Sequence, residues 1–265
     1  MEEEIPKDKY VLRVLRGAPG NQYWEEFELP LRHRENVISG LMEIQKNPIN
    51  RRGERVTPIV WEQGCLEEVC GSCSMLINGF PRQACTALIE NYIASTKKRF
   101  LVLAPFTKFP LVRDLIVDRS IMFENLKKVH GWIDADSSFT TGPGPLGPGP
   151  LIAPAKQEVI YSLSTCMTCG CCSEACPQIN SHSKFIGPAA ISAARLFNAN
   201  PTGKMQKALR LRPLMEEGGI SDCGNAQNCV EVCPKNIPLT DSIAVIGRDV
   251  TLQALSDVFS FSDRE

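Results

Sequence analysis

No stretch of the sequence approaches the ~20 consecutive apolar residues that a bilayer span requires, so any membrane role is expected to run through a partner. The chain opens Met-Glu-Glu-Glu-Ile-Pro-Lys-Asp, acidic and polar, without the apolar segment of a secretory signal. Charge of one sign is lacking too. Lys and Arg number 29 against 30 Asp and Glu, and a net charge of -1 supplies no global field to hold nucleic acid, so none is expected as a partner. Histidine is scarce: His33, His130 and His182 stand apart, and each reads as structural or exposed. There is no G-x-G-x-x-G, phosphate loop or nucleophile elbow, so no hydride, phosphoryl or acyl site is visible.

Cysteine, by contrast, is plentiful. The 265 residues suit one large or two small domains, and 12 of them are Cys. They cluster at ligand spacing, and with no secretory signal such clusters read as metal sites and not as a disulfide framework. The densest run, Cys166-Met-Thr-Cys-Gly-Cys-Cys-Ser-Glu-Ala-Cys-Pro177, contains C-x2-C-x2-C-x3-C-P through Cys166, Cys169, Cys172 and Cys176. That is a bacterial-type iron–sulfur spacing in which the fourth Cys serves a second cluster. A second run, Cys223-x5-Cys229-x3-Cys233-Pro234, completes a reciprocal unit: Cys233 returns to the first cluster, and Cys223 and Cys229 join Cys176 on the second. Nearer the N-terminus, Cys65-x4-Cys70-x2-Cys73 followed by Cys85 has the plant-type 2Fe–2S spacing. Cys171 is surplus to every set and reads as a small buried residue.

Along the chain, Tyr10 to Arg16 and Trp24 to Leu29 read as strands about a turn at Gly17–Asn21. Asn36 is the expected cap of a helix carrying Val37, Ile38, Leu41, Met42 and Gln45, stopped by Asn47-Pro48. Ile59 to Trp61 is expected as a short strand, Met75 to Ile77 as another, Asn78-Gly79 as a hairpin turn and Phe100 to Leu103 as a further strand. From Leu111 to Val129 the apolar spacing suggests one or two helices. Thr140 to Pro150 (TTGPGPLGPGP) cannot be helix or central strand and reads as a surface loop or linker, with a docking loop as the alternative. Ala189 to Phe197 and Lys204 to Met215 read as helices, and Thr240 as the cap of a last one.

With these groups placed, the chain resembles the iron–sulfur subunits of succinate dehydrogenases and fumarate reductases over nearly its full length. The motifs are Cys65-Leu-Glu-Glu-Val-Cys-Gly-Ser-Cys73, the 166–177 run, Ser183-Lys-Phe-Ile-Gly-Pro188 and Asn228-Cys-Val-Glu-Val-Cys-Pro-Lys235. The resemblance implies an α+β fold: an N-terminal β-grasp plant-type ferredoxin domain over residues 1–108, then an all-α bacterial-type ferredoxin domain over 109–265 that includes the 140–150 loop. It implies a 2Fe–2S cluster on Cys65, Cys70, Cys73 and Cys85, a 4Fe–4S cluster on Cys166, Cys169, Cys172 and Cys233, and a 3Fe–4S cluster on Cys176, Cys223 and Cys229. Ala226 stands where a full eight-iron pattern would place a fourth thiolate, and its absence there suits three irons.

The implied activity is electron relay between a FAD-containing subunit that converts succinate and fumarate and a membrane quinone site, as a peripheral protein on the cytoplasmic face of the cell membrane. Arg195-Leu-Phe-Asn-Ala-Asn-Pro-Thr-Gly203 resembles the branch that pairs with a di-haem cytochrome b anchor and usually uses menaquinone. Ubiquinone-reducing members carry Trp soon after the first Cys-Pro and His after the first Cys of the second run. Here Gln178-Ile-Asn180 and Gly224 stand there, and quinone ligands are left unassigned. Rival readings are the iron–sulfur subunit of another flavin complex, of the thiol-linked fumarate reductase or glycolate oxidase type, and a zinc-structured binding module. From Pro177 to Met215 lie six basic residues (Lys184, Arg195, Lys204, Lys207, Arg210, Arg212) and no acid. They read as a solvated helix face, or as a surface toward anionic lipid or haem propionates.

Overall fold

The structure, a computed structural model, describes residues 5–134 and 151–262, with side chains to Val258-Phe259; the expected loop at 140–150 lies outside the described residues. The chain divides into two compact units. One runs to Arg119 and takes in Met167–Ala175, and the other comprises Ser120–Cys166 and Cys176 onward.

In the first unit a five-stranded sheet has the order β2-β1-β5-β3-β4. Strands β1 (Lys9–Ala18) and β2 (Asn21–Pro30) form the opening hairpin, longer than the sequence suggested because the turn needs only Pro19 and Gly20. Strand β5 (Phe100–Ala104) runs parallel to β1 at the centre, and β3 (Ser74–Ile77) pairs with both β5 and β4 (Phe80–Gln83). Asn78 and Gly79, at φ 51° and 83°, make the two-residue turn that Asn-Gly favours. Helix α1 (Val37–Lys46) lays Val37, Ile38, Leu41 and Ile44 on the core with Tyr10, Leu12 and Phe27. Asn36 caps it by accepting the Ser39 N–H at 2.9 Å, and its amide holds the Cys85 carbonyl at 2.9 Å. One residue thus fixes a helix start and a candidate ligand. Helix α2 (Ile89–Thr96) follows.

Two expectations fail here. Ile59–Trp61 is not a strand, and Leu111–Val117 is a β-ribbon, β6 (Leu111–Arg113) with β7 (Ile116–Val117), not a helix. A buried charge network explains both. Arg16, 1% exposed, pairs with Glu25 and with Asp114. Asp114 also accepts the N–H of Gly17 at 2.7 Å and of Val60 at 2.8 Å, while the Val60 carbonyl accepts the Leu115 N–H. Val60 spends its backbone groups on this corner, which leaves none for a ladder.

The remaining helices are α3 (Ser120–Lys128), α4 (Pro154–Ser164), α5 (Cys171–Ala175), α6 (Pro188–Ala199), α7 (Lys207–Leu211), α8 (Asn228–Glu231) and α9 (Leu239–Ser262). Helix α5 belongs to the first unit. Its Glu174 is buried and accepts the N–H groups of Thr107 and Lys108 at 2.9 and 3.0 Å. The second unit packs α6, α7 and α9 about Ile191, Leu211, Leu214 and Ile246. The expected helix at 204–215 is broken into 3-10, α and 3-10 turns, the last containing Pro213, which has no N–H to continue a helix. Thr240 lies inside α9 and does not cap it; the Pro238 carbonyl begins the helix by accepting the Ser242 N–H. Among the described residues no helix is long and apolar enough to cross a membrane.

Three of the six basic residues are paired with acids from elsewhere in their own unit. Lys184 pairs with Glu217, Lys207 with Asp249 and Arg212 with Asp257. Arg210 is fully buried and donates to the carbonyls of His130, Gly203 and Trp132, so it cannot belong to a solvated or lipid-facing surface.

Candidate metal centres

All twelve cysteines are among the described residues, and no disulfide joins any of them. The first group sits on the loop before β3. Leu66 and Glu68 adopt left-handed backbone at φ 60° and 55°, a conformation that costs about 1–2 kcal/mol per residue outside Gly. The gain is visible at the sulfur: the N–H groups of Glu67, Val69 and Cys70 all point at Cys65 Sγ, at 3.3, 3.2 and 3.3 Å. Cys65 N–H in turn donates to Cys70 Sγ at 3.4 Å. That bond, followed by those from Ser72, draws the exposed Cys70 thiol down to about 6. Cys73 and Cys85 are buried and share a hydrogen bond; burial pushes Cys73 up to about 12. The four therefore stand as two pairs, Cys65 with Cys70 and Cys73 with Cys85. Two sulfur pairs are what two irons need, and iron would hold the buried pair deprotonated despite the burial.

Arg119 and Gly71 secure this loop. Arg119 donates to the carbonyls of Gly71 and Ser72, each at 2.7 Å. Gly71, at φ 75°, lies so close to the 167–175 loop that an added Cβ would stand 2.9 Å from Cys169 Cα. In that loop Thr168 and Gly170 are left-handed as well. Cys169 is drawn down to about 7, first by a hydrogen bond with Cys171. That shared bond, with complete burial, drives Cys171 well above the ordinary thiol range. Cys171, buried as expected, thus holds its proton far more firmly than Cys169. Cys172 is the second residue of α5 and is half-buried.

In the second unit Cys166 follows the end of α4 and is exposed, and Cys233 follows α8 and accepts the Ile237 N–H at Sγ, 3.4 Å away. Cys176, Cys223 and Cys229 come together. The Cys229 thiol is pushed up by burial first and then by the neighbouring Cys176 and Cys223. The three line a small hollow with Gln178, Gly224 and Ala226. Asn225 and Gln227, on either side of the exposed Ala226, are left-handed at φ 50° and 66°. Gly224 is pressed by Gln178, whose amide occupies the place of a Cβ there. A three-sulfur hollow of this kind fits a three-iron cluster. No group of three or more His, Cys, Asp or Glu among the described residues is gathered for a single metal ion. His33 and His182 are exposed, and His130 is bound to Asp134 at 2.8 Å.

Comparison with known proteins agrees with this geometry. Residues 11–124 match the 2Fe-2S iron-sulfur cluster binding domain and residues 162–237 the 4Fe-4S dicluster domain. The succinate dehydrogenase iron-sulfur subunit of Bacillus subtilis is 56% identical over 256 residues, 97% of each chain. The chain belongs to the succinate dehydrogenase and fumarate reductase iron–sulfur subunit family. A more distant member, the fumarate reductase iron-sulfur subunit of Haemophilus influenzae, is 31% identical over 88% of both chains. The fold is that of a chain in the Mycobacterium smegmatis Sdh1 complex, with a TM-score of 0.71 over 91% of this chain and 95% of that one, at 23% identity. This iron–sulfur subunit is therefore α+β, a ferredoxin-like sheet domain followed by a helical dicluster domain, with 2Fe–2S and 4Fe–4S clusters as its cofactors.

Proposed function

We propose that the chain relays electrons one at a time between a FAD-containing subunit that interconverts succinate and fumarate and a membrane quinone, as the iron–sulfur subunit of a succinate:quinone oxidoreductase. The observation that carries this is the pointing of three backbone N–H groups at Cys65 Sγ in a chain 56% identical to a named succinate dehydrogenase subunit. Ligands are assigned as Cys65, Cys70, Cys73 and Cys85 to 2Fe–2S; Cys166, Cys169, Cys172 and Cys233 to 4Fe–4S; and Cys176, Cys223 and Cys229 to 3Fe–4S. When bound, the clusters supply one-electron oxidation and reduction. The protein's part is electrostatic: amides aimed at ligand sulfur favour the more negative, reduced state. The half-exposed pair Cys65 and Cys70 offers an edge for electron entry, while Cys73 and Cys85 shield the other side from water.

The partners follow from the same reading: a flavoprotein, a cytochrome b anchor carrying haem b, and menaquinone, with this chain peripheral on the cytoplasmic face of the cell membrane. The Arg195–Gly203 sequence supports that branch. Affinity purification of the tagged chain from detergent-solubilised membranes tests it. The expected result is co-purification of a FAD subunit and a b-type cytochrome, with iron and acid-labile sulfide in the preparation and 2Fe–2S and three-iron signals in electron paramagnetic resonance (EPR). Zinc without sulfide, or a flavoprotein unable to reduce fumarate, would overturn it.

A further inference from the structure

We propose that Gln83 is a positioning residue for electron transfer, its carboxamide linking the ligand sulfur of Cys73 to the sulfur of Cys171 in the loop that carries Cys169 and Cys172. The inference rests on the ligand assignment above and deepens it. Gln83 ends β4 and is fully buried. Burying an amide is costly unless its polar atoms are met, and all the partners of this one lie in the two cysteine loops. Cys73 Sγ donates to its Oε1 at 3.5 Å. Its Nε2 donates to Ser74 Oγ at 2.7 Å and to Cys171 Sγ at 3.7 Å. Ser74 Oγ donates onward to the Gly71 carbonyl at 2.6 Å, and Gly71 is the residue packed on Cys169. Packing alone does not ask for this: an apolar side chain could fill the position without three polar partners.

Electrons tunnel more readily along covalent and hydrogen bonds than across gaps of equal length. The path here runs from Cys73 Sγ through the Gln83 amide to Cys171 Sγ. From there it continues by the hydrogen bond to Cys169 or by one peptide unit to Cys172. This gives Cys171, which no ligand set uses, a role beyond filling space. With clusters held by the assigned cysteines, the path would carry a single electron from the 2Fe–2S to the 4Fe–4S group, with no bond formed or broken and no proton moved. A ligating Cys73 has no proton to donate. Gln83 then turns its amide over, an exchange an amide makes without changing shape: its N–H faces Cys73, and its Oε1 takes the Ser74 hydroxyl, which leaves the Gly71 carbonyl to Arg119, and the Cys171 S–H, which gives up Cys169, so the path continues by the peptide unit to Cys172. A donor at Cys73 favours the reduced cluster, so Gln83 sets potential as well as path.

The test uses the intact complex with wild-type, Gln83→Leu, Cys171→Ala and Cys171→Ser chains. Iron and sulfide content, redox titration of the 2Fe–2S EPR signal, and the rate at which a photoinjected electron equilibrates between the two clusters are measured. Gln83→Leu should keep its iron and weaken electron binding at 2Fe–2S about tenfold, a downward shift of about 59 mV for one electron. Cys171→Ala should slow equilibration several-fold, and Cys171→Ser, which keeps a hydrogen-bonding atom, should restore most of it. Unchanged potential and rates in fully loaded Gln83→Leu would overturn the bridge. If that variant loses its cluster, equal rates in wild type, Cys171→Ala and Cys171→Ser overturn it instead. A wild-type complex with no 2Fe–2S signal defeats the ligand assignment and the bridge together, whereas intact signals with insensitive variants defeat the bridge alone.

Discussion

The loop proposed for 2Fe–2S and the hollow proposed for three irons are built by opposite routes. Cys65, Cys70 and Cys73 lie within one short loop whose strained backbone brings N–H groups to sulfur, and Cys85 arrives from the adjacent hairpin. Cys176, Cys223 and Cys229 are drawn from distant runs, and Cys176 is itself part of the apolar core formed with Ile191, Leu211 and Ile246. The first site depends on local backbone conformation, and the second on how well helices pack. A change of backbone should damage one, and a change of core volume the other.

Gly71→Ala should have the largest effect. Alanine at φ 75° costs about 1–2 kcal/mol for the left-handed backbone, and its Cβ would crowd Cys169 Cα at 2.9 Å. Overpacking adds about 1–3 kcal/mol, so a total loss of about 2–5 kcal/mol is expected, with most of the 2Fe–2S signal gone and the three-iron signal kept. Normal 2Fe–2S content by EPR in this variant would show that the loop is not held against Cys169. In the second unit, Ile246→Val trims one methyl from a fully buried side chain. The expected cost is about 1 kcal/mol, seen as loss of the three-iron signal at a lower temperature than wild type while 2Fe–2S loss is unmoved. Parallel loss of both signals would end the contrast.

Ala226→Cys should leave stability almost unchanged, because Ala226 is exposed, and should change the cluster itself. A thiolate between the left-handed Asn225 and Gln227 sits where a full run would supply its fourth ligand. The oxidised three-iron EPR signal should shrink as a four-iron cluster, silent when oxidised, takes its place, and transfer to quinone should slow as the potential falls. An undiminished oxidised signal in a protein whose new cysteine resists alkylation would count against the ligand geometry.

What the sequence made legible was local. The Asn36 cap, the Asn78-Gly79 turn and all three ligand groups follow from residues within a few positions of one another. What it hid depended on partners far along the chain. Asp114 removes Val60 from any strand from 54 residues away, and Gln83 meets Cys171 across 88. Arg119 and Gly71 stand 48 apart, Thr107 and Glu174 67 apart. Glu174, an acid inside a cysteine run, was the nearest thing to a signal. Of the basic stretch, only the burial of Arg210 was hidden, and the counterions Glu217, Asp249 and Asp257 all follow the stretch in sequence.

The smallest effect is expected at Asp134, and it probes the second unit without touching a ligand. Its carboxylate holds His130 at 2.8 Å, the Trp132 indole N–H at 2.9 Å and the Gln206 amide at 2.6 Å. His130 first, then Trp132, keep the carboxyl below the ordinary carboxylate range. A depressed carboxylate contributes stability that is present above its unfolded value, about 3.9, and is lost as pH falls through the lower folded value. The group is solvent-facing, so the contribution is small, but Trp132 reports on it directly. With Trp24 and Trp61 replaced by Phe, Trp132 fluorescence should titrate with a midpoint below the unfolded carboxyl value, and Asp134→Asn should abolish that transition. A midpoint at or above the ordinary carboxylate range would mean that the knot of His130, Trp132 and Gln206 does not hold Asp134 in its charged form. The packing that carries the three-iron hollow would then owe nothing to it.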